Sequence, residues 1–495
     1  METSFAYPLV RQRAFEYLNP WRADGRPPPE HNEPRRLYYP SFASWVFNSR
    51  PGWTTALTGM QRIGKTQMLR QLVGDALAQG IYTPGQIVLL SARNYDIRKR
   101  CIMEHVRACQ DTLVNPDKDW LLLLDEVQFF EDWEARLKNI ADHEPRIKCV
   151  AACSAATALK KTRADSGLGR IQWFHMPPPL FCEYLEFRNA WPSRLPRGDF
   201  DAMVQARLPA AELAELNKEF TGYIQSGAFP ELLFEKGNLG DGSDDESASS
   251  LLHRNLVINI IDDSLPYLLG TSDIFLLHQL AMFLVKNGTH PFSQKDCLAK
   301  IKAAPATLRR YLAFLEAVYF IRSFKKFDLS RRDPRHRHTH CKFIMENCSI
   351  PALVAAGFPD PPPPTEREIE AVVLSQFDTS KPLDDFGYVS FRRQNRKVEI
   401  SLCHLDIRDW PIMLAAVKWR DDSQVFGQTA DDLAYLLGKW RREDDKQPQC
   451  FCTSQSVYGE LGDVRIIPAA QFSAALGMKR VANYPMLLKR AQVSS

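Results

Sequence analysis

No run of the chain approaches the roughly 20 consecutive apolar residues that a membrane-spanning helix needs, and the longest, around 120–125, falls far short. The opening residues METSFAYPLVRQR lack a basic-then-apolar leader, so the expectation is a cytoplasmic protein with no membrane contact. An excess of one charge is also missing. Lys+Arg number 63 against 59 Asp+Glu, a net +4, so any case for a polyanion partner must rest on local patches. The 11 cysteines contain no paired CxxC spacing that would close a tetrahedral zinc site, and their number is odd. They are expected to be reduced core residues. No repeat at a solenoid period is present.

What is there fits an ordinary globular chain. With 45% hydrophobic and 25% charged residues over 495 positions, it can bury full cores in two to four domains. Three stretches interrupt it: the Gly/Ser/acid-rich 237–250, the basic and His-rich 328–340, and the proline-rich 359–366, which reads as a stiff polyproline II spacer. They suggest domains at 1–236, 250–330 and 340–495. The first region alternates apolar runs with amphipathic stretches, as in a parallel sheet wrapped by helices. Strands are predicted at 53–58, 86–91, 120–124, 148–154 and 171–175, with a helix at 65–77. Residues 251–327 read as successive helices, and 398–402 and 412–419 as strands.

Between the first strand and its helix stands Gly59-Met60-Gln61-Arg62-Ile63-Gly64-Lys65-Thr66, a full GxxxxGKT in a strand–loop–helix setting. Glycines let such a loop wrap phosphates with backbone N–H groups at a helix N-terminus. Lys65 adds a cation for the β/γ oxygens, and the Thr66 hydroxyl can ligate Mg2+. The apolar strand at 120–124 runs into Asp125 and Glu126. Asp125 is the candidate metal ligand and Glu126 the candidate general base for water. The expected activity is therefore that of a magnesium-dependent ATPase, with ATP and Mg2+ bound at this site.

Three accessory positions are open to two readings each. Ser154 ends a strand where a hydroxyl can touch the γ-phosphate or the attacking water, or simply cap a turn. Arg170 can bring positive charge to the transition state from this or a neighbouring subunit, or serve a structural ion pair. Arg62 can touch phosphate, or face solvent or a partner.

Several segments resemble AAA-type bacterial and archaeal ATPases that carry a winged helix and a C-terminal domain of restriction-endonuclease type. They are LTGMQRIGKTQMLRQL at 57–72, LLLLDEVQFFEDWEARLK at 121–138, CSAATAL at 153–159, SGLGRIQWFHMPPPLFCEYLEFR at 166–188 and SGAFPEL at 226–232. The likeness is strongest over 50–235. It implies an α/β P-loop (AAA-type) core, then a helical or winged-helix domain, then a C-terminal α/β nuclease-like domain. Residues 293–327 resemble its helix-turn-helix, with Leu308, Tyr311, Leu312, Leu315 and Val318 inward and Arg309 and Arg310 outward. With Arg322, Lys325, Lys326, Arg331, Arg332, Arg335 and Arg337 these make the densest basic stretch, 322–337 included, available for DNA phosphates; a lid or protein-docking module is the alternative. A homo-oligomer or a protein partner is also implied.

His336, His338, His340 and Cys341 are not expected to hold a metal, because alternating residues in a basic loop rarely preorganise a site. In the C-terminal domain the resemblance would place a first acid at Glu399 and a helix acid at Glu370. Lys418 supplies the lysine, but Ala416 stands where the second acid belongs, with Asp421 and Asp422 just beyond. This implies a degenerate nuclease-like scaffold. The leading function is an ATP-driven switch or remodeller acting on DNA or a DNA-associated partner. The alternatives are a DNA-binding regulatory protein that uses nucleotide only as a conformational ligand, and a metal-dependent nuclease.

Overall fold

The computed structural model of the chain describes residues 9–115, 117–154, 171–235, 258, 260–261, 274–288, 292–328, 340–355, 363–377, 385–406, 408–438 and 447–493. The chain divides into two compact units: Met1–Pro177 with Ala317–Tyr319 and Tyr484–Ser495, and Pro178–Glu316 with Phe320–Asn483. The first boundary falls well before residue 236, so the helices Phe181–Phe187 and Ala210–Gly222 belong with the second unit.

Unit 1 is built on a five-stranded sheet in the order β2-β3-β4-β1-β5, with β1 at Thr54–Thr58, β2 at Ile87–Ser91, β3 at Trp120–Asp125, β4 at Ile147–Cys153 and β5 at Ile171–His175. Every pairing is parallel. Strands β1 to β4 are buried at every position, which is why their sequences are continuous apolar runs rather than alternating ones. The helix Lys65–Ala78 buries Met68, Leu69, Leu72 and Val73 of the expected apolar face, together with Ala76, whereas Leu77, expected on the same face, is half-buried. At the β2 edge, Asn19 behaves like a peptide group: its Nδ2 donates to Leu89 O at 2.9 Å and its Oδ1 accepts from Leu89 N at 2.7 Å. An exposed strand edge is thereby partly satisfied.

Unit 2 carries a nine-stranded mixed sheet, in the order β13-β14-β12-β11-β10-β9-β7-β8-β6. Its strands are β6 (Phe292–Ser293), β7 (Ile321–Phe327), β8 (His340–Met345), β9 (Phe386–Arg393), β10 (Arg396–Leu405), β11 (Pro411–Ala416), β12 (Gln449–Ser454), β13 (Gly459–Leu461) and β14 (Val464–Pro468). Side chains alternate between two cores. Leu402, Met413, Ala415, Phe451 and Ile467 join the cluster around Phe181, Phe220 and Phe472, while Cys403, Leu414, Ala416, Cys450 and Ile466 join Phe426 and Leu433. This sheet runs across the break at 328–340 that the sequence offers as a boundary.

The expectation of helices throughout 251–327 is corrected by β7. Ile321, Phe324 and Phe327 recur every third residue, as on a helix, yet the segment pairs with β8 and β9 as a strand. Tertiary pairing overrides the local period. The two helices before it, Gln294–Ile301 and Pro305–Ala317, flank the predicted turn. The stretches 237–250, 329–339 and 359–362 lie outside the described residues.

Candidate nucleotide site

The C-terminal ends of the unit 1 strands converge, as crevices in open parallel sheets do. Thr58 pairs with Cys153 of β4 and His175 of β5, and Ser91 pairs with Asp125. Because β4 lies between β1 and β3, its end brings Ser154 between the loop at 59–66 and the acids at 125–126. No two of these segments are neighbours in sequence. Parallel register alone assembles them.

The loop is shaped by its glycines. A Cβ on Gly59 would lie 2.2 Å from Met176 O and 2.6 Å from Ile63 Cδ1, so no side chain fits there. Gly64 adopts φ 96°, a left-handed conformation costly to other residues, and caps the helix that starts at Lys65. Lys65 is buried, and its Nζ donates to Gly59 O at 2.9 Å and Met60 O at 2.6 Å, so the ammonium reaches back over the loop. Arg62 also sits at positive φ, 61°.

Thr66 Oγ1 donates to Asp125 Oδ2 at 3.0 Å, and Ser91 Oγ approaches the same oxygen at 3.4 Å. Asp125 Oδ1 is buried without a hydrogen-bond partner. A hydroxyl beside a buried carboxylate with one unsatisfied oxygen suits a hard divalent cation, which binds through one or two protein oxygens, substrate phosphates and water. The residues present therefore fit magnesium. Among the described residues there is no cluster of three or more His, Cys, Asp or Glu that would hold a metal by itself.

Glu126 follows Asp125 with φ 51°, a strained conformation of the kind found at functional sites. Its carboxylate accepts from Arg93 Nη2 at 2.8 Å and Ser154 Oγ at 3.0 Å, and from Gln128 Nε2. Ser154 N in turn donates to Gln128 Oε1 at 3.1 Å. Burial lowers the Lys65 ammonium below the ordinary lysine range against the pull of Glu126 and Asp125. Burial, then the charge of Glu126, pushes Asp125 up, with the Thr66 hydrogen bond opposing. Burial acts to raise Glu126 too, but Lys65 and Arg93 outweigh it and hold the group below the usual carboxylate range. The adjacent acids are thus shifted in opposite directions, Asp125 up and Glu126 down.

Lys65, Thr66, Asp125, Glu126 and Ser154 are all brought together. Arg170 lies outside the described residues. Arg93, Gln128 and Ser91 were missed in the sequence. For Ser91 and Arg93 the signal was the end of β2 in register with β3, which becomes readable only once the strand order is known, whereas Gln128 stands two residues past Glu126.

In unit 2, Arg309 and Arg310 are exposed on Pro305–Ala317, as is Lys325 on β7. Arg322 is a correction: it is buried, with Nη2 2.6 Å from Glu346, and so is withdrawn from the basic surface. Arg331, Arg332, Arg335, Arg337, His336 and His338 lie outside the described residues. Glu370, on the helix Glu366–Ser375, and Glu399, on β10, do meet, but across the fully buried Lys342, whose Nζ is 2.6 Å from each. Lys418 instead donates to Glu366 Oε1 at 2.9 Å. Ala416 packs with Val398 and Ile400, whereas Glu399 between those two faces the other side of the sheet. A carboxylate at 416 would therefore not join Glu399. Asp421 accepts from Gln455 N and Ser456 N, and Asp422 from Gln424 N, so both acids hold turns.

Among the described residues no helix is long and apolar enough to cross a membrane. No curated protein matches the chain. Among solved structures it is similar to AMPPCP-bound DnaA from Aquifex aeolicus, with 14% identity, a TM-score of 0.29, and coverage of 61% of this chain and 91% of that one. It is also similar to a DNA replication initiation factor, with 16% identity, a TM-score of 0.25, and coverage of 56% and 82%. Residues 53–185 match the family described as AAA domain, so the segment holding the loop, both acids and Ser154 carries an AAA-type P-loop domain.

Proposed function

We propose that this chain is a magnesium-dependent ATP hydrolase that works as a molecular switch or remodeller, acting on DNA or a DNA-associated partner. The observation that carries the reading is the 3.0 Å contact between Thr66 Oγ1 and Asp125 Oδ2, which joins the loop motif to the acidic strand across 59 positions. In this reading the backbone amides of Gly59, Met60, Gln61, Arg62, Ile63 and Gly64 cradle the phosphates at the helix N-terminus. Lys65 leaves the Gly59 and Met60 carbonyls for the β/γ oxygens. Thr66 and Asp125 would hold magnesium, whose positive charge would offset the negative charge of the phosphate oxygens.

Glu126 takes the proton of the attacking water, and Ser154, already on its carboxylate, orients it. Arg170 is the candidate for transition-state charge from this or a neighbouring subunit, which makes a homo-oligomer part of the proposal. Turnover measured with magnesium and ATP tests the assignment. Lys65→Ala should lose nucleotide binding, and Glu126→Gln should bind but turn over at least about a hundredfold more slowly. Equal turnover by the wild type and both variants would reject it.

Unit 2 supplies the second half of the proposal. The order β6, helix, helix, β7, β8, with exposed Arg309 and Arg310 on the second helix, supports a winged-helix reading and duplex contact. The order helix Glu366–Ser375, β9, β10, β11, helix Ser423–Gly438, β12 supports a nuclease-like α/β scaffold. The Lys342 ammonium between Glu370 and Glu399 already pairs with both acids from within the protein, which favours a scaffold over a nuclease.

A further inference from the structure

A second set of residues reaches the phosphate loop from the segment before β1. Arg36 is only 6% exposed, and its two terminal nitrogens donate to backbone carbonyls: Nη1 to Ile63 O at 3.1 Å and Nη2 to Pro177 O at 2.9 Å. The Ile63 carbonyl belongs to the same planar trans peptide as the Gly64 N–H, and the two point in opposite directions. A guanidinium that grips the carbonyl therefore aims the amide. Gly64 caps the helix Lys65–Ala78, so its N–H is among the donors left without an intrahelical partner.

We propose that Arg36 is a positioning residue for polyphosphate binding: by holding the Ile63 carbonyl beside the Pro177 carbonyl, just past β5, it presets the Gly64 amide toward the phosphate groups of the nucleotide. The inference rests on the nucleotide reading above and adds to it a residue outside the loop motif. Orientation settled before binding is a cost the ligand does not meet.

The segment that supplies Arg36 is itself fixed to the loop's own helix. Arg35 forks onto Asp75, with both contacts at 2.8 Å, and Tyr39 Oη donates to Asp75 at 2.6 Å. Glu30 pairs with Arg70, and Glu33 accepts from Gln67. Gln71 donates to the Glu33 and Pro34 carbonyls at 3.2 Å each. His31 lies so close to Gly74 that a Cβ there would meet it at 2.4 Å. Arg36 thus acts from a support that moves with the helix carrying Lys65 and Thr66. Two carbonyls in different directions suit a planar fork of donors and not a single ammonium.

The test is nucleotide affinity by titration calorimetry together with steady-state turnover, for wild type, Lys65→Ala, Arg36→Met and Arg36→Lys. Arg36→Met should bind ATP and ADP about tenfold more weakly and to the same degree, because the amide serves phosphates common to both, while kcat at saturating ATP stays within about twofold. Arg36→Lys should weaken both nucleotides by a smaller factor. Folded Arg36→Met with wild-type affinity for both would overturn the proposal. If Arg36→Met does not fold, wild-type affinity in Arg36→Lys would do so. If instead wild type binds no nucleotide, or Lys65→Ala binds as well as wild type, the nucleotide reading itself falls.

Discussion

At the scale of single residues, the least ordinary group is Glu126. It combines a left-handed backbone, burial and three hydrogen-bonding neighbours, one of which is the guanidinium of Arg93 at 2.8 Å. Arg93 stabilises the carboxylate and also occupies an oxygen that a water would use. Its side chain is 61% exposed, whereas that of Glu126 is only 3% exposed. Removing it takes away a positive charge that lowers Glu126. In Arg93→Ala the acid limb of the kcat–pH profile should therefore move to higher pH. An unshifted limb would mean that Arg93 does not govern the base. Nothing in the string SARNYD singles out this arginine, because its role depends on a partner 33 positions away.

At the scale of elements, the helix Lys65–Ala78 shows what a periodic pattern reveals and what it hides. Its apolar face was readable from Met68, Leu69, Leu72 and Val73, since burial of one stripe leaves a 3.6-residue signature. Asp75 on the same helix carries no such periodic signature. The structure gives it the Arg35 fork and the Tyr39 hydroxyl, from residues 40 and 36 positions earlier.

Burial would raise Asp75, but Arg35 and Tyr39 prevail and hold it below the usual carboxylate range. A depressed folded-state pKa contributes stability above the unfolded value of about 3.9, and that stability is lost as pH falls through the folded value. Asp75→Asn should therefore cost about 2–4 kcal/mol near neutral pH, with the gap to wild type closing below about pH 4. Unfolding curves across that range check it, and a gap independent of pH would refute it. Strand β7 shows the converse. Its every-third-residue apolar spacing imitates a helix, and buried Arg322, paired with Glu346, removes the alternation that would have marked a strand.

At the scale of the molecule, each unit has its own sheet, one wholly parallel and one mixed, and the sequence passes from one unit to the other more than once. The proposed division of labour places nucleotide chemistry in the first and duplex contact in the second. Exposed Arg309 and Arg310 make that quantitative. Replacing both with Glu should weaken duplex binding and reduce the slope of log affinity against log salt by about two. Anisotropy titrations over a salt series measure this, and an unchanged slope would remove these arginines from the contact. In the same mixtures, plasmid with magnesium or manganese should remain supercoiled; nicking that depends on Glu399 would restore the nuclease reading that Lys342 argues against.

The sequence by itself determined the parallel core and the phosphate loop, because both are written in contiguous residues: buried apolar runs, glycines at fixed offsets, a lysine and a threonine at a helix start. It also determined which acids end the third strand. Only the tertiary structure decided that β4 stands between β1 and β3 and sets Ser154 on Glu126, that Arg36 and Arg93 reach the site, and that Lys342 rather than Lys418 lies between Glu370 and Glu399. The reason is physical: a hydrophobic period records which face of an element is buried. Which charged group meets which depends on strand order and register, and those are fixed only when distant segments pack.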